Sequence, residues 1–241
     1  NPLPLASALV PSGGATQGGF VVTVTGESFG FVQHVWVGDA DCPLAVPPTD
    51  TQIQCTVGPG VGATLPLKVR LGGGVVRDVS TPPGATPVVF SFHPPTLSSI
   101  TPTLSQAFPT LGVQVLLRGE NFGSFATEVT VRVGETAAIA SVWSGDGAIS
   151  CTVAPGAGAG LPIYVRVANQ DALPPPFSFS YDPPMITSVR PSLGPASGIT
   201  VVSVHGYNFG PPGGSPPTLS LSRGVLGVSE VSPRSVRVVD D

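Results

Sequence analysis

Three short stretches of the chain nearly repeat one another: GESFG at Gly26–Gly30, GENFG at Gly119–Gly123 and GYNFG at Gly206–Gly210. Around them, Pro11, Pro102 and Pro191 each open a similar segment, and Val37–Leu71 aligns without gaps with Val133–Val167 at a constant offset of 96 residues. A period of about 90 residues is too long for a solenoid repeat and suits tandem β-sandwich domains. The chain therefore reads as one module written three times, with boundaries expected at 1–94, 95–183 and 184–241.

Comparison of the copies predicts the strands. Val22 and Val24, Val115 and Leu117, and Val202 and Val204 occupy matching alternate positions, as expected of strands with one buried face. Leu67, Val69 and Leu71 alternate with Lys68 and Arg70, and Ile163, Val165 and Val167 alternate with Tyr164 and Arg166. ETAAIASVW resembles a helix by its alanines, but its counterpart carries Pro43, Pro47 and Pro48, which a helix interior does not tolerate, so strand and loop are expected. PVVFSF and PFSFSY close the first two modules. The Pro-Pro pairs that follow favour extended geometry, so stiff connectors and a restricted angle between modules are expected.

Composition limits the alternatives. The 31 Gly and 29 Pro make about a quarter of the 241 residues, near the roughly 25–30% at which low complexity is the default reading. The alternating apolar runs argue instead for folded β-structure with Pro-rich turns. Charged residues are only 10% and the net charge is −4, so the chain lacks the basic footprint that phosphate backbones require and nucleic acid is not an expected partner. No apolar run reaches the length of a membrane-spanning helix.

The order of an opening proline, an apolar strand, G-x-N-F-G, a V-x-V-G strand, a paired-Cys segment and a CTVxPG-like close resembles the IPT/TIG domain, an immunoglobulin-like module of plexins, hepatocyte-growth-factor-type receptors, fibrocystin-type ectodomains and some algal and microbial surface proteins. The resemblance implies an all-β fold of tandem early-set immunoglobulin-like sandwiches, two complete and one partial. It also implies a bridge between Cys42 and Cys55, positions where the family often carries one. Cys151 matches Cys55, but Ala138 stands where Cys42 would be, leaving Cys151 as a buried small hydrophobe or as one half of an intermolecular disulfide.

Residue chemistry assigns the repeated motif to a structural corner. Gly26, Gly30, Gly119, Gly123, Gly206 and Gly210 supply positive φ, Asn tolerates the left-handed region, and Phe29, Phe122 and Phe209 plug the end of each sandwich. GPGVGAT and PGAGAG have no Lys-Ser/Thr after them and precede strands, so a flexible strand connection is expected rather than a phosphate cradle. His34, His93 and His205 sit at nonequivalent places, and the acidic set Asp39, Asp41 and Asp50 is matched only by Glu135 and Asp146, so neither a metal nor a cofactor is assigned. No nucleophile–base constellation recurs, and no catalytic residues are assigned. His34 and Trp36 are expected to point outward, either as a contact surface for a neighbouring module or partner or packed on their own edge loop.

The expected role is a non-catalytic structural or adhesive array, a fragment of a giant extracellular, cell-surface or flagellar-appendage filament of the mastigoneme kind, with other modules of the same chain or assembly as partners. The alternative is a receptor-ectodomain stalk; an enzyme accessory domain is a third reading. Copy three, without counterparts of LPLKVRL and PVVFSF, is expected to continue past Asp241.

Overall fold

The computed structural model describes residues 3–102, 113–173, 177–211, 217–219 and the strand at 236–240. Every regular element among them is a strand.

Module one contributes β1 (Leu5–Val10), β2 (Gly13–Gly14), β3 (Val21–Glu27), β4 (Val32–Val37), β5 (Ala40–Cys42), β6 (Gln52–Thr56), β7 (Leu65–Leu71), β8 (Val76–Asp78) and β9 (Val89–Phe92). One sheet runs β1-β3-β6 and the other β2-β9-β7-β4-β5, with β8 also on β7. Period-two alternation decides which side chains meet between them. Val22, Val24 and Ile53 face Val35, Val37, Leu67, Val69, Phe90 and Phe92, all buried in one core. Burying each such side chain stabilises the fold by roughly 1.5–3 kcal/mol.

Module two repeats the plan with β10 (Thr96–Thr101), β11 (Val113–Glu120), β12 (Val129–Val133), β13 (Thr136–Ala137), β14 (Ala140–Gly145), β15 (Ala148–Val153), β16 (Leu161–Val167), β17 (Gln170–Asp171) and β18 (Ser178–Phe179). Its sheets are β10-β11-β15-β14 and β13-β12-β16-β17, with β18 on β16. The alanine-rich stretch is strand, as its proline-bearing counterpart predicted: β13 and β14 fall within it. The core again takes alternate residues, among them Leu117, Ile149, Val131, Ile163 and Val165.

Copy three contributes β19 (Met185–Arg190), β20 (Val202–Tyr207) and β21 (Val236–Asp240). β19 and β20 reproduce the β1–β3 and β10–β11 pairs down to a shared irregularity, since the register shifts between Ala6 and Ala8, Leu97 and Ser99, and Ile186 and Ser188. The third element departs from the pattern. β6 and β15 run antiparallel to β3 and β11, whereas β21 runs parallel to β20, so it is not their structural counterpart. Ile186 and Val189, matching buried Leu97 and Ile100, are exposed.

Candidate functional site: the corners and the seam between modules one and two

The corner motif is built from close approach as much as from φ. The left-handed residue is the third of each motif, at Ser28 (φ 66°), Asn121 (64°) and Asn208 (62°), joined by the closing Gly123 (96°) and Gly210 (120°). Gly26, Gly119 and Gly206 serve a different purpose from the positive φ expected of them: a Cβ there would collide with the backbone carbonyls of Leu5, Thr96 and Met185 and with the ring of the motif's own Phe. Gly30 likewise shows no positive φ and lies beside Asp50. Phe29 and Phe122 are fully buried plugs, whereas Phe209 is only half-buried. The Phe29 and Phe122 N–H groups donate to the carbonyls of Asp50 and Asp146, which stand at matching turns before β6 and β15.

Asn121 does more than tolerate its conformation. Its Nδ2 donates to the Pro94 carbonyl (3.3 Å), and Asn208 Nδ2 donates to the Pro183 carbonyl (3.4 Å), so each corner clasps the first proline of the preceding connector. These two bonds tie corner to connector, the place where a restricted module orientation was expected.

Among the described residues, the first seam is the more extensive. Asp146 Oδ1 accepts from Thr16 Oγ1 (2.7 Å) and from the Gly123 N–H (2.8 Å), while Oδ2 accepts from Gln17 Nε2 (3.0 Å). Hydrogen bonds to an ionised acceptor are worth about 1.5–3 kcal/mol each. Thr16 is buried, the one polar residue in that class among the described residues. On the opposite side of the seam, Asn169 pairs reciprocally with Ala63: the Ala63 N–H donates to Asn169 Oδ1 (2.9 Å) and Asn169 Nδ2 donates to the Ala63 carbonyl (3.0 Å). Gln170 Nε2 donates to the Phe92 carbonyl (2.8 Å). Val61 packs against the module-two core, close to Gly123.

These contacts correct the reading of GPGVGAT as a flexible connection. Its Gly60 and Gly62 are buried, a Cβ on Gly60 would strike the Phe92 ring, and Ala63 is tied to Asn169. The same logic holds in the second loop, where Gly156 lies against Tyr181, whose hydroxyl donates to the Ala154 carbonyl (2.6 Å). Thr16, Gln17, Asn169 and Gln170 were not singled out from sequence, and Asp146 entered only as a counterpart in the acidic set weighed for a metal. The one signal available was the matching of Asp50 with Asp146 at equivalent turns.

Cys42 and Cys55 are bonded in the structure, with Cα atoms 5.3 Å apart. Cys42 lies on β5 and Cys55 on β6, the edge strands of opposite sheets, so the bridge staples the open side of the sandwich. Backbone also closes this side in module one, the Thr56 N–H donating to the Pro43 carbonyl and the Ala45 N–H to the Gln54 carbonyl, and in module two it does so without the bridge. The Ala138 N–H donates to Val131 in one sheet, the Ile139 N–H donates to Thr152 in the other, and β14 then pairs with β15. Cys151 is free and buried, and loss of hydration pushes its thiol pKa up to about 12. This is the environment of a small core hydrophobe, and an intermolecular disulfide would require the sandwich to open.

His34 and Trp36 lie half-buried on the outer face of β4, with ring centroids 4.3 Å apart. The acidic residues weighed as a calcium set are dispersed: Asp39 pairs with Lys68, Asp41 with His34, and Asp50 stands at the corner turn. No group of three metal-ligating side chains occurs among the described residues.

Comparison with known proteins agrees with this architecture. The IPT/TIG domain model matches residues 4–87 and 95–181. Among solved structures, the surface glycan-binding protein PbSGBP-B of Prevotella bryantii is 14% identical, with a TM-score of 0.52 over 74% of this chain and 42% of its own. The plexin A4 extracellular region is 21% identical, with a TM-score of 0.36 over 74% of this chain and 18% of its own. The present chain therefore spans less than half of either protein. With two matched copies and two sandwiches built on one register, the chain belongs to the IPT/TIG domain family.

Proposed function

We propose that this chain is a non-catalytic structural and adhesive element in which consecutive immunoglobulin-like modules are held at a set angle outside the cell. The observation that carries this reading is the first seam, where Asp146, Asn169, Gln170 and Val61 of the two modules interlock on both sides of the Pro94-Pro95 connector. An interface of this kind resists bending, which is what a spacer must do and what a flexible tether does not. The Cys42–Cys55 bridge and the similarity to solved structures of a plexin extracellular region and a surface glycan-binding protein support an extracellular or surface setting. The finer reading is a segment of a long surface or appendage filament; it rests on the Gly and Pro content and on the interlocked first seam.

Small-angle scattering of the full chain, with and without Asp146→Ala and Asn169→Ala together, tests the proposal. The expected outcome is a narrow set of module orientations that broadens in the double variant. Equal breadth in both proteins would refute a seam-set angle.

A further inference from the structure

The duplicated fold supplies an internal control for the outer face of β4 and β7. At the 96-residue offset, His34 becomes Thr130, Trp36 becomes Arg132, Asp41 becomes Ala137 and Lys68 becomes Tyr164. Module two builds the same sheet with none of these side chains, using Arg132–Glu135 and Arg166–Asp171 pairs instead. The aromatic face of module one is therefore dispensable for the fold.

Its geometry is specific. Trp36 lies on β4, next to the sheet edge, paired across the ladder with Asp41 of β5 on one side and Lys68 of β7 on the other. The His34 ring is tilted against the indole and held by Asp41. Lys68 Nζ lies 3.3 Å from Asp39 Oδ1, whose side chain is fully exposed. Trp36, Gly38, Asp39, Lys68 and Val76 bound a hollow of about 270 Å³, slightly below the roughly 300–1,000 Å³ of pockets for drug-sized ligands. That volume suits a single ring rather than an extended segment.

The chemistry of this hollow selects its occupant. An aromatic plane accepts the apolar C–H face of a pyranose, while flanking carboxylate and ammonium groups accept from and donate to hydroxyls on its rim. A phosphate or sulfate would meet the charges of Asp39 and Asp41. A purely apolar partner would strip water from Asp39 and Lys68 without replacing their hydrogen bonds. We propose that Trp36, Asp39 and Lys68 form a shallow binding platform for a neutral saccharide, which makes module one the adhesive member of the array. The proposal deepens the adhesive half of the function above and is independent of the seam.

The test is titration of the full chain with cellotetraose, maltotetraose, mannotetraose and chitotetraose, monitoring the two indole N–H resonances by NMR. The Trp143 indole, bonded to the Gly123 carbonyl (3.2 Å), serves as the internal reference. At least one sugar is expected to shift the Trp36 resonance saturably in about the millimolar range. Trp36→Ala should abolish binding, and Asp39→Asn, a change at an exposed side chain, should weaken it about tenfold. Silence of the Trp36 indole toward all four sugars would overturn the proposal, as would equal binding by Trp36→Ala. A shift of that resonance with protein concentration alone would replace the sugar by a second copy of the chain. None of these outcomes alters the scattering result, so the platform and the spacer stand or fall separately.

Discussion

Cys151 shows how one position changes meaning between copies. In module one its counterpart Cys55 is half of a bridge; in module two the thiol is surrounded by core and its pKa is pushed up to about 12 by burial. Because the folded value lies above the ordinary 9.0, the stabilisation from keeping the thiol neutral is whole below about pH 9 and is lost as pH rises toward 12. Melting curves between pH 7 and 11 should show an alkaline decline for module two that is smaller in Cys151→Ala. Tyr181, also raised by burial, titrates in both proteins, so the difference isolates the thiol. Parallel curves would mean that the thiol is hydrated in the folded state. Asn121 is a second residue with two tasks, adopting φ 64° and donating to the Pro94 carbonyl; substitution by an apolar residue removes both.

At the scale of elements, the two modules share one backbone closure, to which module one adds a covalent bridge. A sandwich must close the side where one sheet's edge strand faces the other's. Module one does so with backbone pairing of Pro43 and Ala45 to β6 and with the Cys42–Cys55 bridge between β5 and β6, across a sequence separation of 13 residues. On the chain-entropy estimate, closing such a loop stabilises by about 3 kcal/mol. Module two keeps the same backbone closure without the bridge, the N–H groups of Ala138 and Ile139 reaching both sheets, and extends it with β14. Calorimetry with and without reductant should therefore lower the melting of module one by roughly 10–20 °C and leave module two in place. A shift in both modules would show that the seam, not the edge, transmits the loss.

At the scale of the whole molecule, the two seams are unequal. Val61 at the first is replaced by Ala157 at the second, where Asn208 keeps its clasp on Pro183. A hollow of about 840 Å³ lies there, between Ala157, Tyr181, Pro184, Phe209 and Pro211 among others. Among the described residues fewer side chains interlock at the second seam, which resists bending less well, so ¹⁵N relaxation should report modules one and two reorienting together and β19–β20 reorienting faster. A single correlation time for all three would show that the clasp and the Pro183-Pro184 connector suffice by themselves.

The repeat, the strand faces and the corner positions were legible in the sequence because they are local or periodic. Alternation of Val22, Val24, Leu67 and Val69 follows from the two-residue period of a strand, and duplication printed each signal more than once. Proline placement told strand from helix in the ETAAIASVW segment by the same comparison. The seam was not legible. Thr16 and Asp146 are 130 residues apart, and Asn169 and Ala63 are 106 apart. No spacing rule joins polar side chains whose proximity depends on how two finished sandwiches dock. The reason for Gly26, Gly119 and Gly206 was hidden likewise, since the carbonyls of Leu5, Thr96 and Met185 reach those glycines only after the strands have paired. Sequence determined the module and its repetition through local chain geometry. Tertiary structure alone decided which polar groups meet between modules, because that depends on distance in space and not along the chain.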